Sequence, residues 1–209
     1  MEIEEFMREL SSKAPVPGGG GVAGVTGALA SSLGCMVINL TSGKKKFAEY
    51  EDEYAELLKK LTGLTADLLA AADKDAEVFE PLSEAYGMKA DTEEEKAHKE
   101  EVMEKALTAA AEAPIAMMEL LRDTLVILDR LSVIGSKLVL SDAGVGAALA
   151  SAAAKSAILN VFINTKMLKD RKLAENYNKK ALILLKECDK IMEKAFGTVW
   201  GYLKPEEID

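Results

Sequence analysis

The chain has 209 residues, 49% of them hydrophobic, enough for the core of one domain spanning 1–209. Its formal charge of −9 argues against general nucleic-acid binding, because counterion release needs a basic surface that only local lysine clusters supply here. Cys35 and Cys188 lack metal-type spacing and read as reduced thiols, and the acidic start MEIEEFMREL lacks the basic and apolar regions of a signal peptide, so the expected location is cytoplasmic.

No convincing alternating strand pattern occurs, whereas helical periodicity runs through almost the whole sequence, so the expected fold is all-α. A short amphipathic helix covers about Ile3 to Leu10. A Pro/Gly loop follows, then an uncharged helix from about Val22 to Leu40. The next helix runs from about Phe47 to Tyr86, with Leu57, Leu61, Leu64, Leu68 and Ala72 on one stripe and Pro81 as a kink or end. Thr92 and Glu95 match a capping box that opens another long helix, bent by Pro114 and ending near Leu131. A second small-residue helix is expected from about Ala143 to Thr165, and a final amphipathic one from about Arg171 to Phe196.

The stretch from Ala14 to Gly43 carries no charge and is long enough for a membrane helix. Its prolines, glycines, alanines, serines and threonines fit a soluble, closely packed helix better, and the same holds for the run from Ala143 to Thr165. These two helices are expected as a buried pair, with the longer leucine-rich helices wrapped around them as an antiparallel bundle.

Several chemistries find no support. His98 is the single histidine and sits among Glu95, Lys96, Lys99 and Glu100 on a solvated face, which disfavours a histidine-based triad. The signature of a zinc deaminase is missing, so no metal is expected. The string from Gly19 to Gly24 satisfies G-x-G-x-x-G in form, but no strand precedes it and no acid follows at ribose-binding distance. Gly43-Lys44-Lys45 lacks the Ser or Thr and the first glycine of a P-loop.

Other segments suit a ligand. In PVPGGGG, glycines permit close backbone approach, and the helix start behind them offers free N–H groups; a tight loop under a crossing helix explains them equally well. Lys44, Lys45 and Lys46 stand at the far end of that helix, where they cap its dipole or attract an anion. That end is about 30 Å from the glycines, so one small group cannot touch both unless the ligand is extended or two subunits contribute. Asp142 in LSDAGVG, or Ser141 before it, reads as a helix N-cap; an aspartate in such apolar surroundings also suits acid–base work. Asn160 and Asn164 lie one turn apart on an apolar helix and need hydrogen-bond partners. Asp75 shares a face with Phe79, an arrangement fit for a flat heterocycle or for a solvated acid at the core edge, whereas Asp73 points elsewhere.

Taken together, PVPGGGGVAGVTGALASSLGCMVINLTSGKKKF, DKDAEVF and SDAGVGAALASAAAKSAILNVFINTKMLKD, in that order, resemble the cyclodeaminase domain of formiminotransferase-cyclodeaminase and its stand-alone bacterial relatives, including methenyltetrahydrofolate cyclohydrolases. The resemblance covers almost the whole chain. It implies an all-helical homodimer acting on a one-carbon tetrahydrofolate without metal, nicotinamide or other cofactor. A formiminotransferase or dehydrogenase is the implied pathway partner, with neither nucleic acid nor membrane involved. Carried over by motif, it marks Gly18, Gly19, Gly20, Lys44, Lys45 and Asp75 as substrate-binding and Asp142 as the catalytic candidate. Where many relatives have Gly-Asn, this chain has Gly135-Ser136-Lys137, which leaves the local substrate contacts and the preferred reaction open.

Two reactions fit. In the first reading, N10 attacks the N5-formimino carbon, the ring closes to 5,10-methenyltetrahydrofolate, and ammonia leaves. In the alternative, water attacks the methenyl carbon and the ring opens to 10-formyltetrahydrofolate. Both need positioning and proton transfer, for which Asp142 is the expected group. A third reading is a non-catalytic helical scaffold or folate-binding protein whose glycines only pack and whose lysines only cap.

Overall fold

The computed structural model describes residues 2–205, and among them every regular element is helical. Helix α1 spans Ile3–Leu10, α2 Gly19–Asn39, α3 Glu51–Gly87, α4 Glu93–Ile134, α5 Leu140–Thr165 and α6 Arg171–Leu203. Two 3₁₀ segments, Lys45–Tyr50 and Lys137–Val139, lead into α3 and α5.

Boundaries follow local chemistry. Thr92 accepts from the Glu95 N–H at 3.1 Å while Glu95 accepts from the Thr92 N–H at 2.9 Å, completing the expected capping box at the start of α4. Asp170 accepts from the Leu173 N–H at 2.9 Å and starts α6. Neither Pro81 nor Pro114 ends its helix; α3 continues to Gly87 and α4 to Ile134. The periodic stripe on α3 is confirmed, with Leu61, Leu68 and Ala72 buried and Leu57 and Leu64 partly so. Cys188 is buried and Cys35 half-buried, both as free thiols.

Helix α4 packs against α2, α3, α5 and α6. On top of it α2 and α5 run antiparallel: Gly19 lies by Asn160, the Ala30 carbonyl lies by Gly146, and Thr41 bonds the Ser136 N–H. Helix α3 flanks α2, and α6 flanks α5. Small residues make this possible. A Cβ on Gly24 would stand 2.8 Å from the Leu68 carbonyl of α3, and one on Gly27 2.5 Å from Leu121 Cδ2 of α4. The α2/α5 pair is therefore enclosed by α3, α4 and α6, while the side facing away from α4 stays open. Both helices are long and apolar enough to cross a membrane, yet 56% and 50% of their apolar windows are already buried within the chain.

Candidate active site

The glycine turn starts α2 three residues earlier than the sequence pattern indicates, with Gly18 as the extended N-cap and Gly19, Gly20 and Gly21 inside the first turn. Asp75 of α3 lies directly on it. A Cβ on Gly20 would be 2.1 Å from Asp75 Oδ1 and 2.2 Å from its Cγ, so a glycine is required for the carboxylate to sit there. The Gly21 N–H donates to Asp75. Burial raises the Asp75 pKa above the ordinary aspartate value, and that N–H bond opposes part of the rise.

Asn160 of α5 completes this end. Its amide nitrogen is 3.5 Å, and its amide oxygen 3.6 Å, from the place of a Gly19 Cβ. The same nitrogen donates to the Ser156 carbonyl at 3.0 Å, which leaves the oxygen free to accept. Asn164, one turn on, is occupied structurally: its amide donates to the Ala110 and Asn160 carbonyls at 2.8 and 2.9 Å. Phe79, one turn on from Asp75, is half-buried and packs against the core patch around Leu82 and Ala106. Gly18 has open space where a Cβ would be.

The remaining candidates collect at the opposite end of the α2/α5 pair. Lys44 Nζ donates to Ser136 Oγ at 3.5 Å, and Lys45 and Lys46 are exposed on the following 3₁₀ turn. These lysines lie beyond the last turn of α2, which ends at Asn39. Thr41, buried, accepts the Ser136 N–H at 3.0 Å and donates to the Val37 carbonyl at 2.7 Å, tying the two strands of chain together. The glycine at 43 takes φ +77°, and Glu51 holds that turn through the Ser42 hydroxyl and the Gly43 N–H.

Asp142 is half-buried in the first turn of α5. The N-cap reading of Ser141 or Asp142 is corrected: α5 begins at Leu140, the cap position is Val139, and no side chain caps it. The 3₁₀ turn at Lys137–Val139 feeds directly into the helix and moves its start upstream. Ala143, next to Asp142, packs with Val37 and Ile38 from the end of α2.

The fold therefore joins Gly18, Gly19, Gly20, Asp75 and Asn160 at one end, and Lys44, Lys45 and Asp142 at the other. The 21 residues of α2 separate the groups by about 30 Å. Ser136 was marked in the sequence only through the departure at Gly135-Ser136-Lys137, and Thr41 carried no mark at all. Among the described residues no group of three His, Cys, Asp or Glu side chains gathers as a metal site.

The chain is thus all-helical, with a carboxylate seated on a glycine helix start at one end of the α2/α5 pair and a lysine turn at the other. The family model described as formiminotransferase-cyclodeaminase matches residues 2–182, and the chain belongs to that family. It is 39% identical over 197 residues to the methenyltetrahydrofolate cyclohydrolase of Methylorubrum extorquens, covering 94% of this chain and 95% of that one. It is 30% identical over 183 residues to the formimidoyltransferase-cyclodeaminase of Gallus gallus, where the match covers 88% of this chain but 34% of the longer animal protein. The crystal structure of formiminotetrahydrofolate cyclodeaminase from Thermotoga maritima superimposes with a TM-score of 0.88 at 27% identity, covering 98% of each chain.

Proposed function

We propose that this chain is a homodimeric cytoplasmic enzyme that works at the one-carbon unit of tetrahydrofolate, with 5,10-methenyltetrahydrofolate as its substrate or product. The observation that carries the reading is end-to-end similarity to an enzyme named for that substrate, together with a raised-pKa carboxylate on a glycine helix start. The 39% likeness over 95% of the Methylorubrum cyclohydrolase favours hydrolysis as the leading reaction. The likeness to the Thermotoga cyclodeaminase keeps cyclisation of 5-formiminotetrahydrofolate, with loss of ammonia, as the second reading.

In hydrolysis, water adds to the methenyl carbon while a carboxylate accepts its proton. The carbon–N5 bond then breaks, N5 takes a proton, and the formyl group stays on N10. In cyclisation N10 adds to the formimino carbon, and the leaving nitrogen is protonated and departs as ammonia. A carboxylate with a raised pKa suits either exchange, so Asp75 joins Asp142 as an acid–base candidate. The Asn160 amide oxygen and free N–H groups at the start of α2 are suited to orient polar groups of the substrate. Lys44 and Lys45 supply positive charge for the carboxylates of the glutamate tail in a chain of net charge −9. No metal or nicotinamide is called for by this chemistry, and a formiminotransferase or dehydrogenase is the proposed pathway partner.

Ultraviolet absorbance of the methenyl chromophore tests the reading. Its disappearance on adding protein to 5,10-methenyltetrahydrofolate marks the hydrolase, and its appearance from 5-formiminotetrahydrofolate marks the cyclodeaminase. Asp75→Asn and Asp142→Asn should each lower turnover by about 10²–10⁴-fold, the worth of a general acid or base. Tight folate binding with neither conversion would instead establish a non-catalytic binding protein.

A further inference from the structure

Where the first turn of α5 meets the last turns of α6, a cavity of about 260 Å³ opens to solvent. Its floor is the close contact of the two helices: a Cβ on Gly144 would stand 3.0 Å from Val199 Cγ1, and Val199 itself is buried. One wall is aromatic. Phe196 and Trp200, one turn apart on α6, hold their rings 17° from parallel with centroids 6.2 Å apart, which makes them a single broad surface. Ser141 and Val145 line the cavity from α5.

Core packing does not account for this wall. Trp200 is 55% exposed, and Phe196 and Val145 are also exposed, whereas Ala195 and Val199 beside them are buried. Large aromatic side chains left open around a concavity are what ligand pockets are lined with. The space is smaller than the roughly 300–1,000 Å³ of pockets that enclose a whole drug-sized ligand, so it suits one ring of a longer molecule. These aromatic residues stand past residue 182, where the family match ends, so the family likeness says nothing of them.

The surroundings select the ring. Asp142 follows Ser141 and precedes Val145 by three residues, the spacing of neighbours on one helix face, so it borders the cavity. Cations border it too: Lys204 is part of the lining, Lys137 Nζ sits 4.4 Å from the centroid of the Tyr202 ring, and Lys44 reaches Ser136, next to Lys137. In a folate the p-aminobenzoyl ring lies between N10, which shares the one-carbon unit, and the glutamate carboxylates. With a carboxylate for the reacting carbon and lysines for the tail both at the cavity, the ring between those two groups is the one that reaches the wall, and the pteridine is not.

We infer that Trp200, with Phe196 beside it, seats the p-aminobenzoyl ring of the substrate by stacking on it. The inference deepens the folate reading and rests on it for the turnover measurement, but not for the spectroscopic one.

Trp200 is the one tryptophan of the chain, so fluorotryptophan labelling gives a single fluorine resonance at the wall. p-Aminobenzoylglutamate, the part of the substrate that lacks the pteridine, should shift that resonance, whereas glutamate alone and a pterin without the benzoyl group should leave it in place. Calorimetry with the same fragment should show binding weakened about 5- to 100-fold in Trp200→Ala, the worth of one aromatic stack, and near-parental in Trp200→Phe. Both variants should melt close to the parent, because the side chain is more than half exposed, which separates lost stacking from a lost fold. In turnover, Trp200→Ala should raise KM by the same factor and leave kcat within about threefold, the pattern of an interaction made equally in ground and transition states. An unmoved resonance with millimolar fragment and with the folate that the parent turns over would overturn the inference. So would an equal shift from the pterin, or a Trp200→Phe variant as weak as Trp200→Ala. A resonance that moves with protein concentration and not with the fragment would put a second copy of the chain on this wall, and that also overturns it. A parent inactive toward both folates that still shows the fragment shift would sink the folate reading and leave the ring site standing; an active parent with an unmoved resonance would do the reverse.

Discussion

Replacing Gly20 by alanine isolates the contact on which the glycine end is built. The new Cβ would stand 2.1 Å from Asp75 Oδ1 and 2.2 Å from Cγ, well inside any tolerable contact, so the carboxylate must retreat by roughly 1 Å. That movement strains or breaks its bond to the Gly21 N–H. A hydrogen bond to a charged group is worth about 1.5–3 kcal/mol, and alanine returns up to about 1 kcal/mol of helix propensity. The expected net loss is about 0.5–2 kcal/mol, a fall in Tm of roughly 1–8 °C for a domain of this size. Activity should suffer more, because a misplacement of about 1 Å costs on the order of 100-fold. Gly197→Ala on α6 is the control: it is exposed and its Cβ meets open space, so turnover should stay near parental and stability should hold or rise by up to about 1 kcal/mol. Melting curves and methenyl absorbance on the three proteins decide it. If Gly20→Ala melts and turns over like Gly197→Ala, the close seat of Asp75 on the glycine turn is not what positions the carboxylate.

The raised pKa of Asp75 fixes the sign of a pH effect. A carboxyl that holds its proton more tightly folded than unfolded loses relative stability as pH climbs from its unfolded pKa through the raised folded one. Urea denaturation should therefore show the parent losing stability relative to Asp75→Asn across the weakly acidic range; a constant difference would contradict the shift. Thr92→Ala removes the capping box of α4 and should cost about 1 kcal/mol, with faster hydrogen exchange limited to the first turn of α4, an effect absent from Thr62→Ala. The Lys44→Ala/Lys45→Ala double variant should raise KM more for polyglutamylated than for monoglutamyl folate, with the difference shrinking at high salt. Equal effects on both substrates would remove the tail-binding role.

The sequence alone determined the helices and the family likeness. Leu57, Leu61, Leu64, Leu68 and Ala72 recur at the spacing that puts them on one face, and that face is the one α3 turns inward. The reciprocal Thr92–Glu95 cap is local chemistry, legible because both partners lie within one turn. Start points were less legible where tertiary contact overrides local preference. The glycines before Val22 read as loop, but they wind into α2 because Asp75, 54 positions beyond Gly21, takes the Gly21 N–H and because Pro17 and Phe6 pack on the turn. Ser141 and Asp142 read as caps, yet a preceding 3₁₀ turn starts α5 at Leu140. Tertiary structure also decided how the site candidates divide. The family resemblance marked Asp75 as substrate-binding and Asp142 as catalytic without placing them, and only the antiparallel packing of α2 and α5 sets Asp75 with the glycines and Asp142 at the lysine end. Periodicity reports which face of a helix turns inward, because neighbouring turns share one environment; which helix end meets which depends on long-range packing that no local pattern encodes.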